Sequence, residues 1–239
     1  MLNLLILLKI NAIALTITFR SGMMKFYFVR HGKTEWNAEG RFQGAEGDSP
    51  LLDESILELK ELGDYLKSVH FDAVFSSDLK RARKTAKIIM EESDFPRSII
   101  YTPALREWKL GKLEGSKIST MKSIYPKQMN AFRHNLAKFN YSMFEAESLY
   151  QTTQRVYELI ISMKNQSYEN VLLVGHGANF TASIRSLLGH EPATIRDIGG
   201  LNNGSVTILE TNDFKTFTCL LWNDKSYLEE NNSALIKRY

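Results

Sequence analysis

Continuous apolar runs alternate along this chain with stretches of helical periodicity. Phe26–Val29 reads as a first strand, followed by Leu57, Leu59, Leu62, Tyr65, Leu66 and Val69 at mainly helical spacing. A short strand is expected over residues 72–76, then a helix through Met90 that Asp78 is placed to cap. Ser98–Tyr101 reads as another strand, ended by Pro103. Leu149–Met163 is amphipathic and helical. Val171–Val174 forms an unbroken apolar run ending in Gly175-His176-Gly177, and a helix to about Leu188 follows. Residues 206–209 and 216–221 suggest a closing pair of strands. This succession predicts an α/β fold with three layers, α/β/α, around a mixed, mostly parallel sheet.

Residues 116–147 break the alternation. They read as helices with no matching strand, and so as a small cap inserted over the C-terminal strand edge. Between Gly115 and Phe144 stand Lys117, Lys122, Lys127, Arg133 and Lys138, with no Asp or Glu. Such a run is either a solvated face or an electropositive lid that attracts anions.

With 239 residues the chain is long enough for one large domain, expected over 24–239. Residues 1–23 read as a leader, or as a start placed upstream of Met23 or Met24. A hydrophobic anchor formed by the apolar stretch 2–19 is the alternative. A net charge of +3 is too small to argue for nucleic acid, and no nucleic-acid motif is present. The single Cys219 fits a reducing, cytoplasmic setting and reads as a buried, inert thiol. No metal-ligand spacing, phosphate loop or dinucleotide fingerprint occurs, so neither a metal nor a cofactor is expected.

The chemistry gathers in four segments. Two apolar strands each end in His-Gly, at Arg30-His31-Gly32 and at Gly175-His176-Gly177. If these strands are central and parallel, both imidazoles emerge at one sheet edge, where open α/β sheets bind ligands. A third segment, Phe75 to Ala86, places Arg81 in the first turn of a helix, with Arg83 on another side of it. The fourth, Leu105 to Gly115, offers Glu107 in a glycine-bounded loop.

In this order the four segments resemble the histidine phosphatase superfamily, in the branch similar to phosphoglycerate mutase. The likeness runs from about Met24 to Leu221. It rests on Arg30-His31-Gly32-x-Thr34-x-x-Asn37, on Gly40 to Gly44, and on the second His-Gly. The resemblance implies that His31 becomes phosphorylated, that Arg30, Arg81 and His176 surround the phosphoryl, and that Glu107 gives the proton. Asn37, Gln43, Gly44 and Thr34 match positions at the phosphate pocket or facing the substrate. His70, His134 and His190 carry no such match, although His134 lies in the cap, within possible reach of substrate.

Two departures bear on activity and local structure. Mutases of the family carry an Arg-His-Tyr-Gly-like sequence after the glutamate, whereas here Trp108-Lys109-Leu110-Gly111 follows Glu107. Ser55 and Ala146 replace common glycines, while Glu147-Ser148 and Arg155 keep the usual return from cap to helix. The expectation is hydrolysis of a small phosphorylated metabolite, without nucleic-acid or stable membrane partners. Mutase-type transfer and a non-enzymatic phospho-ligand sensor are the alternatives.

Overall fold

The computed structural model describes residues 22–228. The expected leader, 1–23, lies almost wholly outside them. Met24 already belongs to the first strand.

Six strands form one sheet: β1 (Met24–Arg30), β2 (Ala73–Ser77), β3 (Ile99–Thr102), β4 (Asn170–Gly175), β5 (Val206–Thr211) and β6 (Thr218–Asp224). Their order is β3-β2-β4-β1-β5-β6. β3, β2, β4 and β1 are mutually parallel, and β5 runs antiparallel to β1 and to β6. The sheet is therefore mixed and mostly parallel, as the alternation predicts. The final strand is shifted toward the C-terminus, covering 218–224 rather than 216–221.

Helices cover both faces because the side chains of each strand alternate between them. Phe26, Phe28, Leu173 and Leu209 pack against Val156 and Ile160 of α6 (Leu149–Ser162) and Phe180 and Ile184 of α7 (Gly177–Leu187). On the other face Val29, Val74, Leu172 and Val174 meet Leu59, Leu62 and Leu66 of α2 (Asp53–Leu66). Ala82, Ala86 and Ile89 of α3 (Lys80–Glu91) complete that layer. Ahead of these, α1 (Glu35–Ala38) is a single turn whose N-cap Thr34 forms a reciprocal capping box with Asn37.

Between Glu107 and α6 lie α4 (Ile118–Ile124), α5 (Pro126–His134) and short 3₁₀ turns. They share a separate core, in which Met129, Phe132, Phe139 and Phe144 pack with Phe42, Trp108 and Ile195. The segment is thus anchored to loops from both halves of the sheet.

Asp78 does not cap α3. The N-cap is Leu79, and Asp78 instead takes both ends of the Arg106 guanidinium at 2.7 Å. The first-turn amides of α3 are satisfied from a distant loop: Asp48 accepts from the amides of Lys80 (2.6 Å) and Arg81 (3.4 Å). A bidentate guanidinium is the stronger partner for Asp78, which leaves the orphan amides to another carboxylate.

Candidate active site

Register decides the site. Arg30 of β1 pairs with Gly175 of β4, and the His31 amide donates to the Gly175 carbonyl at 2.9 Å. The residues that follow, His31 and His176, therefore leave adjacent parallel strands at the same level. Their ring centroids stand 5.1 Å apart. Both imidazoles are buried, at 3% and 0% exposure.

His31 Nδ1 lies 2.7 Å from its neighbour's carbonyl, Gly32 O. A carbonyl only accepts, so Nδ1 carries the proton and Nε2 keeps its lone pair. Burial, then the charges of Arg81 and Arg30, hold His31 well below the ordinary imidazole value. His176 is lowered in the same way, by burial first and then Arg81. Its Nε2 lies 2.8 Å from the Ser77 hydroxyl at the end of β2. With that hydroxyl donating, the proton of His176 sits on Nδ1, a buried atom without a partner.

Arg81, 1% exposed, donates through Nη1 to the Gly47 carbonyl (2.6 Å) and Asp48 (3.1 Å), and through Nη2 to the Gly44 carbonyl (2.9 Å). Burial lowers its pKa, opposed chiefly by Asp48 and Glu107. The loop that supplies these acceptors is held by Glu114, which accepts from the amides of Gly44 (2.9 Å), Gly47 (3.3 Å) and Leu110 (3.2 Å). Arg30 crosses the start of α7, where Gly177 makes room: a Cβ there would stand 2.8 Å from Arg30 Nε. One Arg30 Nη donates to the Leu201 carbonyl, while Nε is buried and unpartnered. Burial pulls this guanidinium down to about 10, still charged at neutral pH.

Glu107 sits at the N-terminus of α7. Its carboxyl accepts from the amides of Trp108 (2.8 Å), Ala178 (2.9 Å) and Asn179 (2.7 Å). Its loop is clamped from outside by Arg155 of α6, which donates to the carbonyls of Pro103 (3.2 Å), Ala104 (3.0 Å) and Arg106 (3.3 Å) while paired with Glu147 at 2.9 Å. Arg155 is thus a positioning residue for Glu107.

A cavity of about 230 Å³ opens here, with Arg30, Asn37, Gln43 and Glu107 in its wall. Thr34 and Gly44 lie behind that wall. Thr34 is fully buried, its hydroxyl on Gln43 at 3.2 Å, and Gly44 is wedged against Glu114 and Trp108 with its carbonyl on Arg81. Arg83 is exposed and lies over the Tyr101 ring, and His134 lines only an outer chamber. Ser55, in place of glycine, accepts from the Lys33 amide at 2.7 Å and so helps fix the turn after His31. Cys219 is partly buried, and burial raises its thiol.

Two residues without a sequence signal join the site. Asn203, in the turn before β5, donates to the His31 carbonyl (3.0 Å) and to Asn37 (3.2 Å). Arg196, from the loop after α7, reaches the cavity wall. An Asn-Gly pair before a strand signals a turn, and a lone arginine in a loop signals nothing.

Fold and site together set two buried imidazoles among arginines at one edge of a mixed, mostly parallel sheet. Residues 26–225 match the histidine phosphatase superfamily (branch 1), and the chain belongs to that family. It is 30% identical over 170 residues to a probable phosphoglycerate mutase, GpmB, of Salmonella arizonae, covering 70% of this chain and 76% of that one. Among solved structures it is similar to YhfR of Bacillus stearothermophilus (28% identity, TM-score 0.77, 86% of this chain and 99% of that one). A mycobacterial glucosyl-3-phosphoglycerate phosphatase, at 24% identity, shares the fold (TM-score 0.74, 84% and 99%). Among the described residues no helix is long and apolar enough to cross a membrane.

Proposed function

We propose that this protein hydrolyses small phosphomonoesters through a phosphohistidine on His31. The observation that carries the reading is the fixed tautomer of His31. Its Nδ1 is committed to the Gly32 carbonyl, so Nε2 is the free nucleophile.

In the first step the Nε2 lone pair attacks phosphorus and the P–O bond to the alcohol breaks. Glu107 delivers a proton to the departing alkoxide. In the second step water attacks phosphorus, Glu107 takes the proton of that water, and the P–N bond breaks to restore Nε2. Arg30, Arg81 and the Nδ1–H of His176 meet the charge on the equatorial oxygens throughout. Depressed imidazole pKa values favour this scheme, because a protonated His31 has no lone pair to give.

The loop after Glu107 supports hydrolysis over transfer between metabolites. Trp108 turns its indole N–H onto the Glu147 carbonyl at 2.7 Å, and Lys109 pairs with Glu46 at 3.2 Å. That loop therefore brings no cation into the cavity at the place where the family's mutases carry Arg-His. The name of the Salmonella relative favours mutase chemistry as a second reading.

Purified protein is to be assayed for inorganic phosphate released from 4-nitrophenyl phosphate and a panel of phosphorylated metabolites. An acid-labile phosphoenzyme is sought in parallel, with His31→Ala as control. Release by wild type, and its loss by a factor of roughly 10³ or more in the control, is expected. Equal activity in the control overturns the nucleophile, and exchange dependent on 2,3-bisphosphoglycerate with almost no release to water establishes the mutase instead.

A further inference from the structure

Close packing requires glycine at position 32, where a Cβ would stand 2.6 Å from the Ser55 hydroxyl oxygen and 2.7 Å from Leu59 Cδ1. The residue after His31 is therefore weakly restrained by its own backbone, yet its carbonyl holds the His31 ring. The peptides on either side of Gly32 are pinned from outside instead. Their N–H edges reach α3 and α2: the Gly32 amide donates to the Thr85 hydroxyl at 3.1 Å, and the Lys33 amide to that of Ser55 at 2.7 Å. Their C=O edges meet the turn before β5. Asn203 Nδ2 donates to the His31 carbonyl at 3.0 Å and, more weakly, to the Gly32 carbonyl at 3.4 Å. Carbonyls only accept, so the partners themselves decide which end of this amide is nitrogen.

Asn203 acts from a fixed base. The Gly204 amide donates to the carbonyls of Arg30 (3.0 Å) and His31 (3.3 Å), and the Tyr227 hydroxyl, from beyond β6, donates to the Gly204 carbonyl at 2.9 Å. Asn223 Oδ1 accepts from the Asn202 amide at 2.6 Å. Asn203 Nδ2 also donates to Asn37 Oδ1 at 3.2 Å, an oxygen that accepts from the Thr34 amide at 3.2 Å as well. With two donors on its oxygen, Asn37 in the cavity wall has its own Nδ2 to offer a ligand.

We infer that Asn203 is a positioning residue for the nucleophile: its one side-chain amide ties the His31 and Gly32 carbonyls to Asn37, and so keeps His31 in the tautomer that leaves Nε2 unprotonated. The inference deepens the proposed function and rests on it for the reaction that His31 performs. If the Gly32 carbonyl turns away, Nδ1 loses its acceptor and the ring is free to carry its proton on Nε2. A protonated Nε2 has no lone pair for phosphorus.

Two variants test this. Asn203→Asp keeps the size and turn preference of the side chain but replaces the N–H donors with oxygen, while Asn203→Ala removes the amide without adding charge. Each is assayed with 4-nitrophenyl phosphate well below its Tm. The imidazole nitrogens of His31, identified by their absence from the His31→Ala spectrum, are followed by nitrogen-15 NMR at about pH 8, above the ordinary imidazole range. Wild type is expected to show a protonated Nδ1 and a bare Nε2. In both variants the two shifts move toward each other as the tautomers mix, and kcat falls roughly tenfold to hundredfold, the loss of two ordinary hydrogen bonds. A residue with only a structural role lowers Tm but leaves kcat within about threefold and the nitrogens at their wild-type shifts, which overturns the inference. So does a fall in kcat with no change at the nitrogens, or a wild-type His31 protonated on Nε2. Failure of the phosphatase reading looks different: wild type then releases no phosphate from any ester, and the spectra alone decide the role of Asn203.

Discussion

Asp48 offers the sharpest check on how this site is held, because one loop carboxylate performs two separable tasks. It caps α3 through the amides of Lys80 and Arg81, and it pairs with the buried Arg81 guanidinium. Loss of the cap is worth about 1 kcal/mol. Removal of a partner from a fully buried ion pair costs about 3–5 kcal/mol. Here the Asp48 side chain is 19% exposed and Arg81 retains the carbonyls of Gly44 and Gly47. A loss of about 1–2 kcal/mol for the pair is therefore the better figure. Asp48→Ala is expected to destabilise the protein by about 2–3 kcal/mol in total. For a chain of this size that lowers Tm by roughly 5–10 °C. Asp48→Asn keeps an acceptor for the amides and loses only the charge, so it should cost about half as much. Urea unfolding followed by circular dichroism, with a common m-value, measures both variants. The account fails if Asp48→Ala lies within about 0.5 kcal/mol of wild type. Equal losses for the two variants would leave the capping role without support.

Three further outcomes follow from the geometry. His31 and His176 are held neutral in the fold and are free to take protons once unfolded, so folding stability is complete above about pH 6.5 and declines as pH falls below it. The slope approaches about 2.7 kcal/mol per pH unit for the pair and roughly halves in His176→Gln, as a urea midpoint series from pH 7.5 to 5 will reveal. Gly177→Ala places a Cβ 2.8 Å from Arg30 Nε at a helical position where alanine is otherwise favoured. Phosphate release should therefore drop about tenfold or more while Tm changes by no more than a few degrees; a matching loss of both would point to general damage. Arg155→Lys gives up the fork that holds the Glu107 loop, so kcat should fall roughly tenfold with KM little changed, and an unaltered kcat would remove Arg155 from the positioning of Glu107.

The chain carried much of this in local form. Apolar runs that end in His-Gly mark β1 and β4 within a few residues, because a strand covered on both faces reads as a continuous apolar run and a close-passing turn needs glycine. Arg81 in a first helical turn and Glu107 in a glycine-bounded loop were readable for the same reason: type and position sit together along the sequence. What joined them was not local. Only strand order and the pairing of Arg30 with Gly175 set the two imidazoles side by side. Only packing gave the cap of α3 to Asp48 and turned Asp78 to Arg106. Arg196 left no mark in the sequence and Asn203 only that of a turn, since what they do depends on surroundings brought by distant segments. Thr34 and Gly44, legible by motif, were placed by the fold behind the cavity wall. Secondary structure and the two His-Gly strand ends follow from short-range patterning, whereas the cradle around them depends on burial and on charges meeting across the fold, which no local stretch of residues encodes.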